Sequence, residues 1–393
     1  MDQIEELYYT FNIGFLKALG IWPHDKSRFI LLKRMLIIVT TMTYIAMQLC
    51  VFMTTKFSIT LFIRILSIVC VSVIIILHYY FFIYTSKTIE YLHYLVQKDL
   101  EMMRTKLENE IIQKYAHIGR YCDFLICLYI SFVIIAIIII ELFPIILDVI
   151  LPLDEPRSRN LLFMVEYFVF RENYFYTKLL HQCVFLVICG SIIYATATQT
   201  LVFIFHLFGM FKIASHRVEH VIEDSILCMS NPEKERTICK RIMHAVIAHH
   251  EAMEFTNVIQ SIFNAPLCVI IIVGIFSLSI NLFGFVEATV SKDVDNIVIC
   301  FLLTVGHLTY LFVANFIGQT ISDYNGELFK VAYNISWYLT PVKSQKLILF
   351  LLQKASKDYY FTIGFIFAAR LQNTTTLINT ALSYVTLMYS FTY

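Results

Sequence analysis

A series of long apolar stretches limits the fold of this chain, because a helix needs about 20 largely apolar residues to cross the hydrocarbon layer of a membrane. Seven stretches of roughly this length occur. They cover residues 31–54, 58–84, 123–151, 180–211, 265–289, 296–320 and 364–391. Charged residues make up only 15% of the chain, against about 25% in a typical soluble domain. The sequence therefore predicts an all-α membrane protein in which residues 1–393 form a single domain with seven transmembrane helices.

Basic residues are distributed unevenly between these stretches. With the N-terminus in the cytosol, 22 lysines and arginines fall in cytosolic segments and six in extracellular ones, leaving out Arg64 and Arg370, which lie within or beside spans. Cytosolic loops of membrane proteins carry an excess of basic residues. We therefore expect a cytosolic N-terminus and, after seven crossings, an extracellular C-terminus.

The two longest segments between spans, 85–122 and 211–264, have apolar residues at spacings of three and four and mixed charges. This periodicity predicts amphipathic helices that extend the spans below the membrane. The net charge is only +1, so no basic surface for nucleic acid is indicated, and we expect no nucleic-acid partner.

His244, His249 and His250 in "HAVIAHH" could indicate a membrane enzyme, because paired histidines on helices bind iron or zinc. They lack the H-E-x-x-H spacing of zinc enzymes, and we interpret them as part of a solvated helix face. The chain also contains no G-x-S-x-G motif and no glycine-rich phosphate loop. We therefore expect no enzyme activity, no catalytic residue, no metal and no cofactor.

Ionisable residues inside apolar spans are costly and are often functional. The candidates here are Arg64, Glu141, His206 and His307. Arg64 and Glu141 lie at similar depth in the outer halves of their spans, so we expect them to pair with each other or with interfacial water. His307 is expected to share one helix face with Tyr310, three residues later.

The outer halves of spans two, three, four and six combine large apolar residues with few polar ones. Such a lining suits a small volatile or lipid-like ligand, although the same residues would also serve ordinary packing between helices. The candidate ligand-site residues are Phe62, Leu66, Ile139, Phe143, Val187, Ser191, Tyr194, Leu303, His307 and Tyr310.

Polar side chains recur at spacings of three or four in the last apolar stretch, which places them in one stripe of a helix. Such a stripe is costly in lipid. It could line a water-filled pore shared by four copies, with Leu387 forming an apolar ring that closes the pore by dewetting. Alternatively, it could bind neighbouring helices of the same monomer. The candidate pore residues are Asn379, Ser383, Thr386, Leu387 and Ser390.

Three stretches resemble the insect odorant receptor family. They are "LKALGIWPHDKS" before the first span, "LFVANFIGQTISDYNGELFKVAYNISWYLTPVKSQKLILFLLQKASKD" through and after the sixth, and "SYVTLMYSF" in the last. The second is the most specific. Its residues that match the family signature are Gly318, Gln319, Ser322, Ala332, Tyr333, Trp337, Tyr338 and Pro341.

The resemblance implies a subunit of an odorant-gated, non-selective cation channel in the plasma membrane of sensory neurons. It also implies a heterotetramer with a shared odorant receptor co-receptor, surrounded by membrane lipid, with helical extensions around 341–356 forming the inter-subunit anchor. The last helix would line the pore, with Leu387 at the gate position and Ser390 in place of the glutamine expected at the pore mouth.

Two other receptor classes are compatible with seven spans. A gustatory-type receptor channel of the same superfamily would differ mainly in its ligand. A G-protein-coupled receptor would require the opposite orientation and a D-R-Y motif after the third span, and this motif is missing.

Overall fold

The computed structural model describes residues 2–9, 11–25, 27–103, 105–151, 157, 161–166, 175–222, 226, 229–356, 359–364 and 367–392. The main helices in this part of the chain are α1 (Asp2–Tyr8), α2 (Asn12–Ala18), α3 (Ile30–Thr54), α4 (Ile59–Tyr84), α5 (Ser86–Met102), α6 (Lys106–Ile150), α7 (Phe175–Glu219), α8 (Asn231–Ser291), α9 (Val294–Asn334), α10 (Val342–Ala355) and α11 (Leu371–Thr392). A short 3-10 helix covers Trp337–Leu339, and two short strands, β1 (Thr362–Ile363) and β2 (Phe367–Ala368), form an antiparallel hairpin. The expected all-α architecture is confirmed.

Among the described residues, six helices are long and apolar enough to cross a membrane, namely α3, α4, α6, α7, α8 and α9. The seventh predicted span corresponds to α11, whose 22 residues would reach about 33 Å at 1.5 Å per residue. Its Asn, Thr and Ser residues make it less apolar than the others. This helix also begins later than 364, because residues 362–368 form the hairpin and helical structure starts only at Leu371.

The two segments predicted to extend the spans are mostly helical over the residues that the structure describes. Residues 231–264 run without a break into the fifth span as part of α8, with a proline in the first turn of the helix. The segment 85–122 is divided instead into α5 and the start of α6. The hydroxyl of Thr105 caps the start of α6, because it accepts a hydrogen bond from the Glu108 N–H (3.2 Å).

Helices α7 and α8 form the centre of the bundle. Helix α7 packs against α6, α8 and α9, whereas α8 also packs against α4 and α11. Helix α3 packs mainly on α4 and α7, at the side of the bundle. The last helix, α11, therefore lies at the edge of the protomer, supported from one side by α8 and α9.

The N-terminal helices dock at the end of the bundle that the charge distribution predicts to be cytosolic. The Tyr9 hydroxyl donates to Gln199 Oε1 (2.9 Å) and lies 2.8 Å from His93 Nε2. The Tyr8 hydroxyl lies 2.9 Å from His206 Nδ1. Burial, and secondarily the nearby His24, lowers the pKa of His93 to about 3. His93 therefore stays neutral at physiological pH, and this polar cluster ties α1 and α2 to α5 and α7 without a buried charge on that ring.

The joint between α9 and α11 involves two residues of the family-like signature. The Ser322 hydroxyl donates to the Tyr359 carbonyl (2.7 Å), just before the hairpin. Nearby, the Arg370 N–H donates to Asn315 Oδ1 (3.1 Å). A Cβ at Gly318 would lie only 2.2 Å from the Ala369 Cβ and 2.5 Å from its carbonyl oxygen. A glycine at this position therefore allows the chain entering α11 to cross α9 in close contact.

This close contact predicts that Gly318→Ala destabilises the folded chain by about 1–3 kcal/mol, as overpacking usually does. The matched control is Gly326→Ala on the same helix, where an added Cβ would meet nothing within 4 Å. We expect a lower melting temperature for Gly318→Ala in detergent and no decrease for Gly326→Ala. Equal melting temperatures would show that the crossing has room for a side chain.

Candidate functional site

The segment 161–166 lies among the ends of α3, α4, α6 and α7 at the predicted outer end of the bundle. Its side chains Leu162, Phe163 and Val165 are buried, so the segment packs into the bundle and does not lie over its surface. The backbone N–H of Glu166 donates to the Met47 carbonyl in α3 (3.0 Å). We call residues 161–166 the plug segment.

Two ionisable residues hold the plug segment through the backbone of one residue, Leu162. The Leu162 N–H donates to Glu141 Oε1 of α6 (3.1 Å), and the Leu162 carbonyl accepts from Arg64 Nη2 of α4 (3.0 Å). Arg64 and Glu141 were expected to pair with each other or with water. The structure connects them through the backbone of Leu162, and we call this arrangement the Arg64–Leu162–Glu141 clamp.

Each end of the clamp has a further partner. Glu141 is only 2% exposed, and its Oε1 also accepts a hydrogen bond from the Gln182 amide of α7. On the other side, Arg64 Nη1 lies 4.0 Å from Asp293 Oδ2. Asp293 also caps α9, because its Oδ1 accepts from the Asn296 N–H (3.2 Å). The clamp therefore connects α4, α6, α7 and the start of α9.

Sequence reasoning identified Arg64 and Glu141 but missed Leu162, Gln182 and Asp293. Gln182 offered a signal, since it is a polar residue in the apolar run "LLHQCVF". Asp293 offered another as a helix-capping residue before the sixth span. Leu162 offered none, because it contributes only its backbone.

Two clefts lie along α4 and α8. The outer cleft, of about 200 Å³, is lined by Thr60, Ile63, Arg64, Gly284, Glu287, Asn296 and Cys300. The inner cleft, of about 270 Å³, is lined by His78, Phe81, Phe82, Thr85, Ile262, Phe263, Pro266, Leu267 and Ile270. None of the ten candidate ligand-site residues lines either of these two clefts.

The candidate ligand-site residues on α9 lie on one face of that helix. His307 Nδ1 donates to the Leu303 carbonyl (2.7 Å), and Tyr310 lies one turn further along. The Tyr310 ring packs edge-on against His78, with ring centroids 5.7 Å apart. His307 and Tyr310 therefore share a face as expected, and this face points toward α4.

Most of the other candidates lie on surfaces that the protomer leaves open. Phe62, Ile139, Phe143 and Val187 are exposed, and Ser191 is half-buried, with its hydroxyl bonded to the Val187 carbonyl (2.7 Å). These residues therefore lie on the faces of α4, α6 and α7 that point away from the centre of the bundle, and they do not surround an enclosed cavity.

Leu66 and Tyr194 have different surroundings. Leu66 packs against the buried cluster of Ile63, Cys70, Ile280 and Phe283, between α4 and α8. Tyr194 is buried, and its ring packs edge-on against Phe15 of α2, with centroids 4.9 Å apart. Tyr194 thus contacts the N-terminal helices and lies apart from the clamp.

The five candidate pore residues Asn379, Ser383, Thr386, Leu387 and Ser390 are all exposed on α11. The opposite face of the helix is packed, with Leu377 and Ala381 buried. Flanking positions such as Leu382, Tyr384 and Tyr389 are exposed as well. The polar stripe therefore points away from the protomer that carries it.

The hydroxyls of the stripe bond to their own helix. Ser383 donates to the Asn379 carbonyl (2.9 Å), Thr386 to the Ser383 carbonyl (2.8 Å) and Ser390 to the Leu387 carbonyl (2.8 Å). The alternative reading, in which the stripe bonds to neighbouring helices of the monomer, does not fit these three hydroxyls.

The packed face of α11 contacts the cluster that contains Leu66. Val385 and Met388 pack against the buried residues Ile63, Cys70, Ile280 and Phe283. One apolar cluster therefore joins a candidate ligand-site residue on α4 to the back of the helix that carries the candidate pore residues.

The histidines of α8 are not assembled into one site. His249 is buried, with Nε2 3.2 Å from Asn325 Oδ1, and its ring packs near Phe211. His250 is exposed, and the backbone carbonyl of His244 accepts from Arg217 (3.3 Å). The expected solvated helix face is correct for His250 and wrong for His249, because α9 supplies Asn325 as a partner.

Comparison with known proteins identifies a family and a fold. The family model of the 7tm odorant receptors matches residues 58–382. The structure resembles that of the insect olfactory receptor OR5 from Machilis hrabei in complex with eugenol, with a TM-score of 0.73, 12% identity, and coverage of 99% of this chain and 98% of that chain. A second structure of OR5 from Machilis hrabei gives a TM-score of 0.66, 11% identity, and coverage of 96% and 99%. No curated protein matches the sequence.

The clamp predicts that the plug segment is released when its carboxylate is removed. A cysteine at Leu162 leaves the backbone bonds in place and reports on exposure. Glu141→Ala removes charge-assisted hydrogen bonds worth about 1.5–3 kcal/mol each, so we expect a membrane-impermeant thiol reagent to label Leu162→Cys about tenfold faster. Glu110→Ala, an exposed carboxylate on the same helix, is the matched control. Equal labelling rates in the two backgrounds would contradict the clamp.

Proposed function

Because the chain belongs to the 7tm odorant receptor family, we propose that it is the odorant-binding subunit of a ligand-gated, non-selective cation channel. The chain is a multi-pass membrane protein of a receptor family rather than an enzyme family. In this proposal a small odorant binds in the outer half of the bundle and opens a pore lined by α11. The plasma membrane of sensory neurons is the proposed location.

The proposed ligand is a small volatile or lipid-like molecule. The surfaces that would hold it are the apolar faces of α4, α6, α7 and α9, below the plug segment. The face of α9 that carries Leu303, His307 and Tyr310 offers a large contact area and two polar side chains. Such a face suits a mostly apolar ligand that makes one or two hydrogen bonds. The OR5 structure solved with eugenol supports a ligand of this size class.

The polar stripe of α11 carries the proposal of a pore. Its residues lie opposite the packed face of Leu377 and Ala381, so the stripe must meet either lipid or something outside the protomer. Lipid is unfavourable for a row of hydroxyls and an amide. Four α11 helices around a common axis would instead turn their stripes to a water-filled lumen.

The packing behind α11 could transmit a displacement from the ligand site to the pore. Leu66, Val385 and Met388 contact the same buried cluster. A ligand that displaces α4 near Leu66 would therefore shift the back of α11, and Leu387 on its opposite side would move relative to the axis. Packed clusters of this kind transmit displacement because they are dense and resist compression.

We further propose that the subunits, one of them a shared co-receptor, meet around α10. Large apolar side chains are exposed there, outside the predicted spans: Tyr333, Trp337, Tyr338, Leu339, Val342, Leu349 and Phe350. Large apolar side chains exposed outside the membrane spans are typical of a protein interface. These residues overlap the region 341–356 expected to form the inter-subunit anchor.

Current recording tests the proposed function directly. Cells that express the chain with the co-receptor should show cation currents in response to at least one member of an odorant panel, and cells without the co-receptor should show little current. Ligand-evoked responses that require G proteins and carry no direct current would contradict the proposal.

The proposed ligand face predicts that His307→Ala and Tyr310→Ala each raise the odorant concentration for half-maximal current, by about tenfold for the loss of ~1.4 kcal/mol of contact. Thr309→Ala is the matched control, because Thr309 is exposed on the same helix but rotated away from both residues. The maximal current and ion selectivity should not change. Dose–response curves that superimpose for all three variants would remove this face from the ligand site.

The pore proposal predicts that a positive charge in the stripe reduces cation current. Ser390→Lys would add a cation to the lumen, whereas Phe391→Lys adds the same charge at nearly the same depth but about 100° around the helix. We expect strongly reduced current for Ser390→Lys and for the bulkier Ser383→Leu, with normal surface delivery. Phe391→Lys should conduct normally. The account fails if Ser390→Lys and Phe391→Lys behave alike.

A further inference from the structure

The last turn of α7 carries a group of metal-binding side chains that the channel proposal does not use. The sequence "HRVEH" places His216, Glu219 and His220 at positions i, i+3 and i+4, which puts all three on one side of a helix. Within the described residues, they are the one group of three such side chains whose ligand atoms all lie within 4.8 Å of one another. We propose that this group binds a divalent transition-metal ion of the Zn²⁺ class.

The orientation of the His220 ring suits a residue that binds a metal ion. Its Nδ1 lies 2.9 Å from the His216 backbone carbonyl. A carbonyl can only accept a hydrogen bond, so Nδ1 carries the proton and the lone pair of the neutral ring is on Nε2. Histidines that bind metals usually donate their other ring N–H to a carbonyl or carboxylate in this way, which fixes both the tautomer and the ring direction.

The two imidazoles are already close to each other. The rings of His216 and His220 have centroids 4.1 Å apart. Zinc–nitrogen bonds are about 2.1 Å long, so small rotations of the three side chains would bring their ligand atoms around one ion. His216 is half-buried, while Glu219 and His220 are exposed, which leaves access for an ion from solution and space for water as the fourth ligand.

The end of α7 contributes a negative potential to this group, and the two nearby arginines have partners of their own. Helix α7 ends at Glu219, and the C-terminal end of a helix carries a partial negative charge. Arg217 is engaged elsewhere, since its Nε donates to Glu108 Oε1 of α6 (2.7 Å). Arg241 of α8 donates to the His220 carbonyl (2.7 Å), so its guanidinium binds the backbone of this turn and helps to hold the turn in place.

The donor set selects the class of ion. Two imidazoles and one carboxylate suit Zn²⁺, Ni²⁺, Co²⁺ and Cu²⁺, whereas Mg²⁺ and Ca²⁺ prefer sites made of oxygen ligands. The site lies next to the buried cluster of Val221, Ile226, Ile238, Ile242 and Ile348, which joins the end of α7 to α8 and α10. A bound ion would stabilise the junction from which the proposed inter-subunit anchor extends.

Zinc binding to the purified full chain, prepared without a polyhistidine tag, tests this site. Equilibrium dialysis against Zn²⁺ at pH 7.5 should give one ion per chain at micromolar concentration and a raised melting temperature. The His216→Gln/His220→Gln double variant should lose this binding, and Glu219→Gln should weaken it about tenfold. The matched control, His250→Gln, removes an exposed histidine of α8 and should bind zinc normally.

Equal zinc binding by the double variant and the unaltered chain would overturn the proposal, as would binding only at millimolar concentration. Circular dichroism and size-exclusion chromatography establish whether the double variant is folded. If the double variant is not folded, Co²⁺ added to the unaltered chain provides the test. An intense visible absorption, typical of four-coordinate cobalt, supports the site, and a spectrum that remains that of aqueous Co²⁺ contradicts it.

Discussion

The polarity of α11 is the constraint on which the rest of this architecture depends. The helix packs on α8 and α9 through Leu377 and Ala381 and turns Asn379, Ser383 and Ser390 away from its own protomer. In hydrocarbon, each polar group must find a partner. Serine and threonine hydroxyls do so within the helix, but an amide such as that of Asn379 has more donors and acceptors than one helix turn can satisfy. A helix built this way is stable at the edge of a bundle only if water or another subunit completes its surroundings.

The clamp at the predicted outer end of the bundle solves a related problem. Glu141 is buried, and burying an isolated carboxylate is very unfavourable. The Leu162 N–H and the Gln182 amide both donate to its Oε1, while Arg64 donates to the carbonyl of Leu162. The plug segment is therefore fixed by charges on two different helices. In the proposed mechanism, this fixed end closes the outer side of the ligand site, so that a ligand acts on the dense packing around Leu66.

Much of the fold and one part of the candidate site could be predicted from sequence. Apolar length and helical periodicity predicted the helices and the polar stripe, because both depend on local spacing. The clamp could not be predicted, since Arg64 and Leu162 are distant in sequence and Leu162 contributes a backbone group that any residue would supply. Tyr194 packs against Phe15, and the buried His249 lies beside Asn325. Helical periodicity does not identify such tertiary neighbours. The hairpin before α11 could not be predicted for a different reason. Its short strands are as apolar as a membrane helix, so the sequence predicted that the last span began there.

A cysteine scan of α11 measures the orientation of this helix most directly. Single cysteines at Asn379, Ser383, Thr386 and Ser390 would be treated with a small hydrophilic thiol reagent while the assembled channel is held closed or is activated by odorant, with Leu377 and Ala381 as packed-face controls. The account predicts that the four stripe positions react and change the current, faster when the channel is activated, while the two controls stay inert. A stripe that does not react in either state, or reaction that is equally fast on both faces, would contradict an aqueous axis between the subunits.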